Sequence, residues 1–215
     1  MADIVLYDLW PSNNNMKVRI ALDYKGIEHD VFPVEMGDEA ARLKVLEVSG
    51  QPLTPVLTHG ETVIFDAAAI VRYLEANFPD TPRLFPRERE AFQAAEELEM
   101  WARTDLVAPL GTVFGELMKQ MGGGEADVEA CRQASSRIHE LTGEIESKLA
   151  DSPFLLGDTM SVADITAAPQ VFWAMPTDEV VARVPLAAFF REHYQLGEGR
   201  ERTREWCLRI MKHAL

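Results

Sequence analysis

The sequence predicts a chain in two parts, a mixed α/β half followed by an all-helical half. Three observations carry this. Short apolar runs suited to strands alternate with helical periodicity over roughly the first 80 residues. A proline-dense stretch, PDTPRLFP (79–86), then interrupts the pattern. Beyond it only helical periodicity remains.

Taken in order, IVLY (4–7) is a near-continuous apolar run, as expected of a strand buried on both faces in a parallel sheet. Residues 14–25 read as a helix, with Met16, Ile20 and Tyr24 spaced by four. EHDVFPV (28–34) alternates loosely and suits a second strand. Ala40, Leu43 and Leu46, at a spacing of three, suit one face of a short helix over 39–47. PVLTHGETVIF (55–65) reads as a hairpin turning at His59-Gly60. Ala67 to Phe78 is a helix with Ile70, Leu74 and Phe78 on one stripe. The order β-α-β-α-β-β-α fits a mixed sheet covered by helices.

The expected division is residues 1–80 as the α/β domain, 81–88 as linker and 89–215 as the helical domain. In the helical part, a helix over 88–121 has Phe92, Leu98, Ala102, Leu106, Leu110, Phe114 and Met118 near one face. Pro109 should kink it. Gly122-Gly123-Gly124 ends it. A helix over 128–150 follows, with apolar positions 131, 134, 138, 141, 145 and 149. Further helices are expected at 162–174, 183–194 and 200–213.

Nearly half the residues are apolar and the net charge is −14. So acidic a surface repels phosphate backbones, which argues against nucleic acid as a partner. No run of 18 apolar residues suggests a membrane span, and MADIVLYD does not read as a signal peptide. Cys131 and Cys207 read as free thiols in a reducing compartment. The five histidines (29, 59, 139, 193 and 213) have no metal-binding spacing, so no metal site is expected.

Four stretches carry candidate chemistry. In TMSVADIT (159–166), Ser161 and Asp164 form a capping box, with Met160 and Ile165 as a hydrophobic staple; this role is structural. In PLTPVL (52–57), Pro55 stands directly before a strand and cannot donate to a ladder. A cis Thr54–Pro55 bond would leave the Thr54 amide and carbonyl able to pair with an extended, peptide-like ligand, while a trans proline on an edge strand also fits. In IFDAAAIVRYLE (64–75), Asp66 opens a helix. It can cap that helix, or hold an ammonium while the amides of Ala67 and Ala68 face a carboxylate. In WPSNNNMKVRIAL (10–22), a hydroxyl and carboxamides fill the gap between strand and helix. Ligands of open α/β sheets bind beyond the carboxyl ends of strands, and these groups can donate to an anion there. Ordinary turn and cap chemistry selects the same residue types.

Together, the polar turn, the pre-strand proline, the acid-started helix, the proline linker and the SVAD cap resemble the cytosolic glutathione transferase family. The resemblance spans essentially the whole chain. KVRIALDYKGIEHD and ADITAAPQV are most similar to the serine-type, zeta-like branch, which includes maleylacetoacetate isomerases. It implies a thioredoxin-like first domain and a helical bundle. Ser12 falls on the family's serine or cysteine, whose side chain points at the glutathione sulfur. Asn14 matches an asparagine serving the thiol in the nu-like disulfide reductases, and Asn13 beside it is an expected contact. Asp8, not Tyr7, occupies the place of the catalytic tyrosine of other classes, and strand alternation should turn Tyr7 away from the site. Pro55 matches the family's cis-proline, Thr54 the residue pairing with the cysteinyl part, and Asp66 the acid that helps hold the γ-glutamyl end.

Three departures accompany the match. Ala67 stands where the family has serine, and Leu53 replaces a polar residue two before the cis-proline. Asn14 replaces the cysteine of the zeta enzymes, and no arginine follows PQV before Arg183. The resemblance implies a glutathione transferase whose thiolate attacks a hydrophobic electrophile. Met100, Thr104, Phe114, Met118, Phe172 and Trp173 are the expected walls, although core packing also explains such residues. A disulfide reductase, an isomerase and a non-catalytic binding module on the same fold are the alternatives. The resemblance further implies glutathione as co-substrate, a cytoplasmic homodimer and a role in detoxification.

Overall fold

The computed structural model describes residues 3–215. It comprises two compact units: the chain through Phe85 together with Lys212–Leu215, and Pro86–Met211.

The first unit runs β1 (Ile4–Asp8), α1 (Asn13–Tyr24), β2 (Asp30–Pro33), α2 (Glu39–Ser49), β3 (Val56–His59), β4 (Thr62–Phe65) and α3 (Ala67–Asn77). The sheet order is β2-β1-β3-β4. β1 pairs parallel with β2 and antiparallel with β3, and β3 pairs antiparallel with β4. This is the mixed sheet expected from the element order, in the thioredoxin-like arrangement that the family resemblance implied. The central position of β1 explains its apolar run: Ile4, Leu6 and Tyr7 are all buried. The hairpin turns at Gly60-Glu61, one residue later than predicted, with Gly60 at φ 56°.

The short helix forms, but the apolar set read from the sequence is not the face that packs. Ala40, Leu43 and Leu46 are exposed, and Ala41 and Val45 are buried instead. A strict spacing of three drifts about 60° round an α-helix at each step, so it cannot mark one face for long.

The proline-dense stretch is no free tether. Leu84 and Phe85 are buried with the first unit. The Lys25 ammonium, almost fully buried, donates to Glu75 Oε2 and to the Pro82 carbonyl, both at 2.9 Å. Glu75 Oε2 also accepts from the Leu84 amide. A buried lysine requires such partners, and here they pin the segment to α1 and α3. The C-terminal residues join the same unit, where His213 Nδ1 lies 2.6 Å from Asp23 Oδ2.

The second unit contains α4 (Arg89–Trp101), a π turn (Ala102–Leu106), α5 (Val107–Met121), α6 (Val128–Lys148), α7 (Val162–Phe172), α8 (Asp178–Arg183), α9 (Ala187–His193) and α10 (Glu201–Met211). The single helix expected over 88–121 is therefore interrupted. The wide turn lies just ahead of Pro109, which has no N–H to return to a preceding carbonyl. Downstream, Leu110, Val113 and Leu117 are buried, whereas Phe114 and Met118, placed near the same face as Leu110, are exposed. Spacing by four alone rotates off a face by about 40° per step; alternating four and three stays on it. On α6, Thr142 is buried, whereas Leu141, one of the apolar set read from the sequence, is only partly so. The helix predicted over 183–194 starts only at Ala187, after Pro185, and α8 was not foreseen.

The capping box forms as expected. Asp164 Oδ2 accepts from the Ser161 amide and hydroxyl at 2.9 and 2.7 Å. Its Oδ1 accepts from the Leu155 amide and from Trp206 Nε1. Met160 and Ile165 are buried beside it. Cys131 and Cys207 are free and buried.

Candidate functional site

Sheet register assembles the site in the first unit. Tyr7 pairs with Val56, and Val56 with Phe65. The residues just past β1, just before β3 and just past β4 therefore leave the sheet at the same end. These are the polar turn, the Thr54–Pro55 corner and Asp66.

The polar turn is tightly made. The Ser12 amide donates to the Leu9 carbonyl at 3.0 Å, and the Ser12 carbonyl accepts from the Met16 amide at 2.9 Å, starting α1. Ser12 holds the N-cap position with extended backbone, φ −78° and ψ 126°. A serine there ordinarily returns its hydroxyl to a first-turn amide. This one does not: its Oγ has no hydrogen bond among the described residues. The predicted pair is thus a half-exposed Ser12 with an uncommitted hydroxyl and an exposed Asn14, whose amide donates to Asn13 Oδ1.

Two residues that sequence reasoning missed hold this turn. Asn15 is fully buried; its Oδ1 accepts from the Leu9 amide and its Nδ2 donates to Thr54 Oγ1. Arg19 donates from Nη2 to the Trp10 carbonyl at 2.7 Å, and its guanidinium lies over the Trp10 ring. Arg19 Nε stands 3.6 Å from Asp8 Oδ1. Burial pushes the Asp8 carboxyl above its ordinary pKa, opposed by the positive charge of Arg19 and then of His29. An arginine four residues after a buried asparagine is a weak signal in a sequence, because either could equally face solvent.

Tyr7 faces away from the turn, as strand alternation requires. Its ring joins Val34, Ala41, Val45 and Val56 in a core cluster and lies 5.1 Å from that of Phe32.

At the second corner the Thr54–Pro55 bond is cis. Among the described residues the Thr54 amide and carbonyl carry no hydrogen bond; only its hydroxyl is used, by Asn15. Leu53 points its side chain into solvent. Its amide donates to Gln51 Oε1 and its carbonyl accepts from Gln51 Nε2, so Gln51, also missed, occupies the Leu53 backbone. Leu53, expected at the ligand, therefore offers no free backbone group.

At the third corner Asp66 has φ 71°, rare for a residue with a Cβ, and its Oδ1 accepts from the Ala68 and Ala69 amides. The expectation that the Ala68 amide faces a ligand is corrected, since that donor already caps α3. The amide of buried Ala67 has no hydrogen bond among the described residues.

The expected electrophile walls divide. Met100, Phe114 and Met118 are exposed. Thr104 Oγ1 lies 3.0 Å from the Met100 carbonyl and 2.8 Å from Asp105 Oδ2. Phe172 and Trp173 are core residues of the helical unit, Trp173 packed against Phe190, and present no surface to a ligand. A cleft of about 480 Å³ opens between the π turn, α5 and α6; of the six residues only Thr104 lines it. Among the described residues there is no cluster of His, Cys, Asp or Glu suited to a metal ion, and no helix is long and apolar enough to cross a membrane.

Comparison with known proteins agrees with this layout. Residues 6–82 match the glutathione S-transferase N-terminal domain and residues 125–209 the glutathione S-transferase C-terminal domain. The chain is 30% identical over 173 residues to a maleylpyruvate isomerase of a Ralstonia species, covering 77% of this chain and 80% of that protein. It is 28% identical over 174 residues to glutathione S-transferase 3 of Zea mays, covering 76% and 75%. In fold it is similar to a theta-class glutathione S-transferase of Xanthomonas axonopodis pv. citri with glutathione bound, with TM-score 0.73, 19% identity and coverage of 100% and 97%. With both domain models matched in order, the chain belongs to the glutathione S-transferase family.

Proposed function

We propose that this protein is a glutathione transferase that ionises the glutathione thiol at Ser12 for attack on hydrophobic electrophiles. One observation carries the reading. An uncommitted hydroxyl at the start of α1 shares a sheet end with the unpaired amide and carbonyl of Thr54. That is a thiol partner beside an edge able to pair with a cysteinyl backbone. The Ala67 amide and the Asp66 carboxylate supply complementary charge for a γ-glutamyl end.

The energetics suffice. A free thiol titrates near 8.5, and lowering that by about two units needs about 2.7 kcal/mol of preference for the thiolate. A hydrogen bond from Ser12 to the charged sulfur supplies roughly 1.5–3 kcal/mol. The amide dipoles of α1 add about 0.3–1 kcal/mol. No separate base is required; the proton passes to solvent. Asn14, exposed beside Ser12, is a second donor toward the sulfur. The test is titration of the bound thiol by its ultraviolet thiolate absorbance. Ser12→Ala is expected to raise the apparent pKa by about one to two units. An unchanged value removes Ser12 from the mechanism.

A second reading, glutathione-dependent isomerisation, is favoured by the 30% identity to the Ralstonia maleylpyruvate isomerase. There the thiolate adds reversibly to a conjugated double bond, the single bond formed rotates, and elimination returns the thiol. Parallel assays with a chloronitrobenzene and with maleylpyruvate separate the two, because only conjugation consumes glutathione.

A further inference from the structure

We propose that Asn15 is a positioning residue of the thiol site, a clamp that presents the Ser12 turn and the Thr54 edge as one preorganised unit. This rests on the glutathione reading above and adds to it the residue that sets the site's geometry.

The argument starts from what a carboxamide can do. It has one acceptor oxygen and two donor hydrogens, and a buried one must use them. Asn15 is fully buried in the first turn of α1. Its oxygen accepts from the Leu9 amide at 3.2 Å, at the start of the turn that carries Ser12. Its nitrogen donates to Thr54 Oγ1 at 3.1 Å, across 39 residues of sequence. Neither contact caps α1. Asparagine is also a poor helix former, so helix propensity does not explain it here.

The choice of partners matters. On the far segment Asn15 takes only the side-chain hydroxyl of Thr54, leaving its amide and carbonyl unpaired. On the near segment it takes the Leu9 amide, and the Ser12 hydroxyl stays uncommitted. The clamp thus orders both ligand-facing segments without consuming the groups they offer. Ordering them before binding removes an entropic cost that a tripeptide would otherwise bear. A hydroxyl misplaced by a fraction of an ångström would also stabilise a thiolate less well.

The first measurement needs no ligand. Hydrogen–deuterium exchange on the free protein is expected to accelerate in residues 9–13 and 51–56 together in Asn15→Ala. Acceleration confined to 9–13 overturns the clamp. Thr54→Val, nearly isosteric, removes only the acceptor and should loosen the same two segments; it serves if Asn15→Ala folds poorly. Calorimetry and thiol titration with reduced glutathione read the consequence. Each single variant is expected to bind about tenfold more weakly, with a raised thiol pKa. The double variant is expected to be no worse than either single one. Additive losses, or unchanged binding in both single variants of a wild type that does bind, overturn the clamp alone. A wild type that binds no glutathione at millimolar concentration overturns the clamp together with the function it serves.

Discussion

Asp164 is buried and accepts from four donors supplied by Leu155, Ser161 and Trp206. Each buried donor left without an acceptor costs about 1–3 kcal/mol. Asp164→Ala is therefore expected to lose roughly 3–5 kcal/mol, read as a fall in urea midpoint at unchanged slope. Glu146 shows the opposite use of a carboxylate. Burial works against its charge, yet the Thr203 amide and hydroxyl and the Arg202 amide outweigh it, and its pKa falls below the ordinary value. A group lowered on folding contributes stability above its unfolded pKa, about 4.3 for glutamate, and loses it as pH falls through the folded value. Glu146→Gln should thus be less stable than wild type at neutral pH. The gap should close on acidification below about pH 4.3, measured by thermal melting across pH. Ser12 belongs at this scale too. Its candidacy was legible as a residue type in a gap; that its hydroxyl caps nothing was not, since a serine before a helix ordinarily does cap.

Among the elements, α1 and α3 are joined through Lys25 and Glu75, and the stretch after α3 is pinned to both. Removing one partner of a buried ion pair costs about 3–5 kcal/mol, so Lys25→Ala should destabilise by that order. It should also open residues 79–86 to limited proteolysis before the rest of the first unit unfolds. The prolines correctly marked where regular structure stops. They could not reveal that Leu84 and Phe85 pack into a core, because burial of a loop depends on a partner distant in sequence. In the first unit element existence was read correctly from period and punctuation; in the second, α8 and the π turn were not foreseen. Which faces of α2 and α5 pack was not legible, because short apolar sets at spacings of three or four are consistent with more than one face.

For the whole molecule, a net charge of −14 means self-repulsion in the folded state. Raising ionic strength from about 0.01 to 0.15 M shortens the Debye length from about 30 to 8 Å and should raise the melting temperature. A melting temperature that falls with added salt would show that attractive surface pairs outweigh this repulsion. The homodimer that the family resemblance implies would give a light-scattering mass twice the 24.1 kDa of the chain.

By itself the sequence determined the element order of the α/β part, the division into an α/β part and a helical part, the capping box and the residue types at the three corners. These follow from local rules: periodicity, turn chemistry and the backbone limits of proline. Tertiary structure alone decided that Ser12, Thr54 and Asp66 meet at one sheet end, that Asn15 ties two of those corners together, and that Phe172 and Trp173 are core. Each depends on strand register or on packing between residues far apart in the chain, and no local pattern encodes which distant partner a side chain will find.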